Sequence, residues 1–164
     1  MTSFSIEIKN LVEKLSALLL KKNWKLVTAE SCTGGGLAYS LTGEPGSSAW
    51  FECGFVSYSN ESKAELLGLS STLITTYGAV SEETAKAMAK GALKHSHAQL
   101  AISITGIAGP GGASPDKPIG TVCFACAFDD QSCFETAHFI GDRAAVRQQA
   151  ILYGLKFALN NLRL

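Results

Sequence analysis

Residues 99–105, QLAISIT, carry no charge and are apolar at 100, 101, 102 and 104, so apolar residues fall on both sets of alternating positions. A strand with one wet face alternates apolar and polar side chains. A run like this one belongs to a strand covered on both faces, as in a parallel sheet held between helices. The flanking pattern agrees. Residues 5–22 place Ile8, Leu11, Val12, Leu15, Leu18 and Leu19 at helical spacing. Residues 25–30 read as a short strand ending abruptly at Ser31, and Thr33-Gly34-Gly35-Gly36 opens a second helix reaching residue 41. Residues 50–58 are rich in aromatic and β-favouring types and read as a strand. Asn60 is a cap residue for a short helix over 61–67, with another short helix over 71–76. Ser81 caps a longer helix, Glu82 and Glu83 lie in its first turn, and Ala85, Met88, Ala92 and Leu93 form its buried stripe.

Residues 121–128 and 133–140 form two further strands joined by a turn at Asp129-Asp130, and Asp142 caps a final helix to residue 162 with Val146, Ala150, Tyr153 and Phe157 on one face. Helices interleaved with doubly covered strands predict a three-layer α/β/α sandwich around a mixed sheet of about five strands. At 164 residues the chain is expected to be a single domain, 1–164.

Fourteen basic residues balance fourteen acidic ones. That balance leaves no global field for nucleic acid or an anionic membrane, so an anionic ligand must be held by a local set of donors. The longest apolar run, residues 122–128, is far short of the ~20 residues needed to span a bilayer, and the first twenty residues do not read as a secretory leader. Five cysteines, an odd number mostly in apolar runs, point to buried free thiols and a cytoplasmic location. Cys123 and Cys126 lie three positions apart on a strand and therefore face opposite ways, so they cannot share a metal.

Three loops follow strands, where ligands gather in open α/β sheets. In Glu30-Ser31-Cys32-Thr33-Gly34, a serine at a strand-to-helix turn is placed as a nucleophile, with the Thr33 and Gly34 amides as oxyanion donors. The alternative is that Ser31 only caps the helix. Cys32 is a weaker competing nucleophile on the same turn. In Tyr58-Ser59-Asn60-Glu61-Ser62-Lys63, a lysine in the first turn of a helix has its pKa lowered by the dipole and by burial, as a neutral amine base requires; otherwise it is an ordinary solvated lysine. In residues 105–112, free amides after Thr105 and Gly106 form a nest for an anion or a carboxamide, or merely a flexible connection. Arg143 and Arg147, at the start of the last helix, form a phosphate site or a solvated pair. His95, His97 and His138 have too few partners for a metal cluster or a Ser-His-Asp set, so a serine nucleophile needs another base, and Lys63 is the candidate.

Taken together, Ala29-Glu30-Ser31-Cys32-Thr33-Gly34-Gly35, Pro45-Gly46-Ser47-Ser48, Tyr58-Ser59-Asn60 with Lys63, Gly78-Ala79-Val80-Ser81-Glu82, Thr105-Gly106-Ile107-Ala108-Gly109-Pro110, Lys117-Pro118-Ile119-Gly120-Thr121-Val122 and Gly141-Asp142-Arg143 carry a resemblance. The sequence resembles the C-terminal domain of the competence/damage-inducible protein CinA and its stand-alone relatives, the nicotinamide-nucleotide amidases called PncC. Cys53-Gly54, where many members have two glycines, and the added Gly36 depart from the pattern.

The resemblance implies a metal-independent, cofactor-free amidohydrolase of the stand-alone type that converts nicotinamide mononucleotide to nicotinate mononucleotide and ammonia. It implies Ser31 as nucleophile, Lys63 as base and Tyr58 as an assisting group. It also implies Thr105 lining the site, Arg143 at the phosphate, and a homodimer or higher homo-oligomer. The rival expectations are a non-catalytic nucleotide- or phosphate-binding module and an amidase for another small carboxamide.

Overall fold

The computed structural model describes residues 3–162. Six helices and five strands follow in the order α1 (Ser3–Lys22), β1 (Leu26–Glu30), α2 (Gly36–Thr42), β2 (Phe51–Val56), α3 (Asn60–Leu67), α4 (Ser71–Tyr77), α5 (Glu82–Lys94), β3 (Leu100–Gly106), β4 (Thr121–Phe128), β5 (Gln131–His138) and α6 (Arg143–Leu162). The sheet order is β2-β1-β3-β4-β5. Strand β1 pairs in parallel with both β2 and β3, while β4 and β5 run antiparallel. The expected mixed five-stranded α/β sheet is present.

Two apolar layers hold it. On one face Leu15 and Leu19 of α1, Leu37 of α2 and Leu155 of α6 pack on Ile102, Ile104 and Phe124, with Phe124 4.8 Å from the Tyr153 ring. On the other face Met88 and Ala92 of α5 and Leu67 of α3 pack on Val27, Ala101 and Ala125. Cys126 belongs to the first layer and Cys123 to the second, so their side chains do point to opposite faces.

The small residues of the second layer let α5 sit close to the sheet, and the Ser103 hydroxyl donates to Ala85 O at 2.6 Å. Gly91 carries the same closeness to α3: a Cβ there would lie 2.1 Å from the Leu67 carbonyl oxygen. No side chain fits at that crossing, which fixes where α3 lies.

Four local readings shift. Helix α2 begins at Gly36 and not at Thr33, because Gly34 (φ 59°) and Gly35 (φ 89°) adopt left-handed backbone that cannot continue a right-handed helix. Helix α3 is capped by Ser59, whose hydroxyl accepts the Ser62 N–H at 3.0 Å, one residue before the expected Asn60. Strand β2 stops at Val56, and its predicted first residue, Trp50, instead closes a short 3-10 turn, Ser47–Ala49. Strand β5 starts two residues early because Asp129 (φ 50°) makes the hairpin turn tight.

Candidate active site

The three parallel strands end on one side of the sheet, and β1, between β2 and β3, is the point at which the strand order reverses. A crevice is expected beside the carboxyl ends there. A cavity of about 290 Å³ occupies that place, lined by Ser31 after β1, Tyr58 after β2, Lys63 of α3, Thr105 and Gly106 of β3, and Arg143 of α6. Six of the predicted site residues therefore converge.

Backbone bonds bring the strand ends together. The Ser31 N–H donates to Ile104 O at 2.9 Å, tying the turn to β3, and the Ser57 N–H donates to Glu30 O at 2.9 Å, tying the end of β2 to the end of β1. Helix α3 then carries Lys63 back over the same point. Its side chain is 1 % exposed. Lys63 Nζ lies 3.1 Å from Ser31 Oγ, 2.9 Å from Ser57 O and 3.2 Å from Tyr58 O. All three partners are uncharged.

That set of partners has a chemical meaning. A backbone carbonyl can only accept, so two amine hydrogens are committed to Ser57 O and Tyr58 O. The remaining corner of the nitrogen faces Ser31. In the neutral amine that corner is the lone pair, aimed at the serine hydroxyl. Burial pushes the Lys63 pKa down from its ordinary 10.5, and the coupling to Cys32 acts in the opposite sense. The site thus makes the proton-accepting, uncharged form easier to reach than it is for a lysine in water.

Cys32 also lines the cavity, but burial pushes its thiol up to about 12. It is a protonated thiol at neutral pH, a poor rival to Ser31. Thr105 is held by its hydroxyl, which donates to Ala79 O at 2.7 Å. Gly106 sits where a Cβ would come within 2.9 Å of Thr121 O. Arg143 donates from Nη1 to Gly109 O at 2.9 Å and from Nη2 to the Tyr58 hydroxyl at 2.8 Å. Since arginine only donates, the Tyr58 oxygen accepts from it and the phenolic proton remains free for a ligand.

Thr33 and Gly34 do not join this set. Neither lines the cavity. The Thr33 hydroxyl donates to Glu30 at 2.7 Å, and the Gly34 N–H donates to Ser31 O at 3.0 Å. The first amides of α2 are also taken, because Leu37 N and Ala38 N donate to the Glu30 carboxylate at 3.0 and 2.8 Å. Arg147 turns away too, donating to Thr33 O at 3.0 Å. The cavity's open amide-bearing wall is instead the loop through Ala108, Gly109, Gly111 and Gly112.

Two participants were missed: the Ser57 carbonyl, which has no sequence signature, and Glu30, whose signal was an acid just before an uncapped turn. Among the described residues no group of three or more His, Cys, Asp or Glu is arranged to hold a metal ion, and no helix is long and apolar enough to cross a membrane.

A three-layer α/β fold with a buried amine against a serine hydroxyl, at the carboxyl ends of parallel strands, defines the class of protein by its geometry. Known proteins give that class a family. The chain belongs to the CinA C-terminal domain family, whose pattern matches residues 8–162. It is similar to the nicotinamide-nucleotide amidohydrolase PncC of Pseudomonas putida, 46% identical over 148 residues that cover 90% of this chain and 92% of that protein. It is also similar to PncC of Escherichia coli strain K12, 48% identical over 151 residues and 92% of each chain.

Among solved structures, a CinA-superfamily protein of E. coli superimposes with a TM-score of 0.92 at 35% identity, over 98% of this chain and 93% of that one. The competence/damage-inducible protein CihA of Agrobacterium tumefaciens superimposes with a TM-score of 0.92 at 38% identity, over 96% of each.

Proposed function

We propose that this protein is a nicotinamide-nucleotide amidohydrolase that deamidates nicotinamide mononucleotide through a Ser31–Lys63 pair. The observation that carries the mechanism is the 3.1 Å contact between an amine and a hydroxyl with no carboxylate or imidazole at either atom. The substrate comes from the names of the relatives, which span nearly the whole chain.

The reaction runs in two halves. Neutral Lys63 takes the proton of Ser31 as Oγ attacks the carboxamide carbon. The tetrahedral intermediate collapses, the carbon–nitrogen bond breaks, and ammonia leaves with the proton returned by Lys63. Water then attacks the ester, giving its proton to Lys63, and the Ser31 alkoxide departs and is reprotonated. The net change is nicotinamide mononucleotide plus water to nicotinate mononucleotide plus ammonia.

With α2's amides occupied by Glu30, the oxyanion is assigned to the loop that follows Gly106. Arg143 keeps N–H groups beyond the two it spends on Gly109 and Tyr58, and with the free Tyr58 proton these form the phosphate subsite. The proposal includes a cytoplasmic homodimer or higher homo-oligomer without metal or cofactor. Light scattering and a chelator-insensitive rate test those parts.

The deciding experiment is ammonia release from nicotinamide mononucleotide by the wild-type protein and by Ser31→Ala. The reading requires release by the first and none above background by the second. Equal rates, or tight binding without turnover, would overturn it.

A further inference from the structure

Glu30 is fully buried, yet it has no ion-pair partner among the described residues. Its two oxygens are satisfied by three donors: the Thr33 hydroxyl at 2.7 Å and Leu37 N at 3.0 Å on Oε2, and Ala38 N at 2.8 Å on Oε1. All three come from the turn and helix that follow Ser31. A buried carboxylate is costly unless hydrogen-bonded, so this one is held by the segment and in turn holds it.

Helix α2 has no side-chain cap of its own, because its N-cap is Gly35. The Glu30 carboxylate reaches over the turn and supplies the missing acceptor. Glu30 also has its carbonyl bonded to Ser57 N, whose own residue offers a carbonyl to Lys63 Nζ. One residue therefore braces the hydroxyl through its side chain and the amine through its backbone.

We propose that Glu30 is a positioning residue for the reaction, fixing the Ser31 turn so that Oγ stays in line with Lys63 Nζ. The inference rests on the Ser/Lys reading above. Glu30 touches neither reacting atom in the structure. Its effect is geometric: Ser31 is tied to β3 by its own N–H, but the turn after it runs through left-handed glycines at 34 and 35, where the backbone has the most conformational freedom. The carboxylate removes that freedom.

The test is Glu30→Gln. The carboxamide keeps the shape but turns one acceptor into a donor that faces a backbone N–H. Misplacing a reacting group by about 1 Å lowers rate by about 100-fold, so kcat for ammonia release should fall by roughly 30- to 100-fold while KM changes less than about 3-fold. The acid-limb midpoint of the rate, which reports Lys63, should stay where it is. A purely structural role would instead lower the fraction of folded protein and leave kcat per folded molecule intact.

If Glu30→Gln does not fold, the pair Thr33→Ser and Thr33→Val carries the test. The serine keeps the hydroxyl donated to Glu30 and should retain the rate; the valine loses it and should fall. A fluorophosphonate probe that labels activated serines gives a readout independent of substrate, with labelling of Ser31 slowed in Glu30→Gln and in Thr33→Val. Labelling slowed without any ammonia release by the wild type would sink the substrate assignment and keep this inference. Unchanged labelling and unchanged kcat in folded Glu30→Gln, or Thr33→Val matching Thr33→Ser, would overturn it.

Discussion

Lys63 Nζ and Ser31 Oγ, thirty-two positions apart in sequence, lie 3.1 Å apart in the fold with both side chains buried. Removing the amine should remove the base. Lys63→Met is expected to lower kcat by about 10²- to 10⁴-fold, the usual weight of a positioned general base. Lys63→Arg should not rescue it, because guanidinium stays protonated and cannot take a proton. Ammonia release at saturating substrate reads both. A near-wild-type rate in either variant would exclude Lys63 as the base.

The pH dependence follows from the lowered Lys63 pKa. The working form is the neutral amine, so kcat/KM should rise as pH rises through the folded-state pKa, with a midpoint below 10.5. The stability dependence has the same sign. In the unfolded chain Lys63 keeps its ordinary affinity for protons, so between the lowered folded value and 10.5 the unfolded state binds more of them. Stability contributed by this group is full above that interval and is lost as pH falls through the folded value. Thermal melts across alkaline pH should show wild type gaining on Lys63→Met as pH rises. Parallel curves would contradict the assigned shift.

Arg143 should govern substrate affinity more than turnover. Charge-assisted hydrogen bonds contribute about 1.5–3 kcal/mol, so Arg143→Ala should raise KM for nicotinamide mononucleotide by about 10- to 100-fold. The dephosphorylated riboside should lose much less. Tyr58→Phe, which removes the hydroxyl that accepts from Arg143, should show a smaller effect of the same kind. A loss confined to kcat, equal for nucleotide and riboside, would place both residues elsewhere in the reaction.

Gly91 tests the link between core and site. A Cβ at that position would stand 2.1 Å from Leu67 O, and overpacking of this kind costs about 1–3 kcal/mol. Gly91→Ala should lower Tm by about 2–4 °C per kcal/mol for a chain of this size. It should also lower kcat, because α3 is the helix that carries Lys63. An unchanged Tm would mean that α3 and α5 do not cross as closely as described.

What the sequence made legible was whatever repeats along an element. The run at 100–105 announced a doubly covered strand because burial on both faces excludes charge and puts apolar residues on both sets of alternating positions, with only the small hydroxyls of Ser103 and Thr105 among them. The leucine spacing of α1 did the same for a helix. Single-residue geometry was less legible. Gly34 and Gly35 read as the opening of a helix, but only their dihedral angles reveal that they bend the chain before it. Ser59 and Asn60 are both good caps, and nothing in composition chooses between them.

The site divides in the same way. Ser31, Lys63 and Arg143 were visible as residue types at strand and helix ends. Thr33 and Gly34, expected as oxyanion donors, lie off the cavity: the Gly34 N–H is spent on Ser31 O, and Glu30 takes the Thr33 hydroxyl and the Leu37 and Ala38 amides. The carbonyls that strip Lys63 of a free hydrogen belong to Ser57 and Tyr58, and a carbonyl is the same in every residue.

Those two carbonyls stand just beyond β2, which is bonded to a neighbouring strand on one side only. The two acceptors that hold the proposed base therefore sit at an outer rim of the sheet. Fraying that begins at this rim would loosen the hold on the amine while the central strands stayed intact, so loss of turnover should precede loss of fold when the protein is slowly warmed.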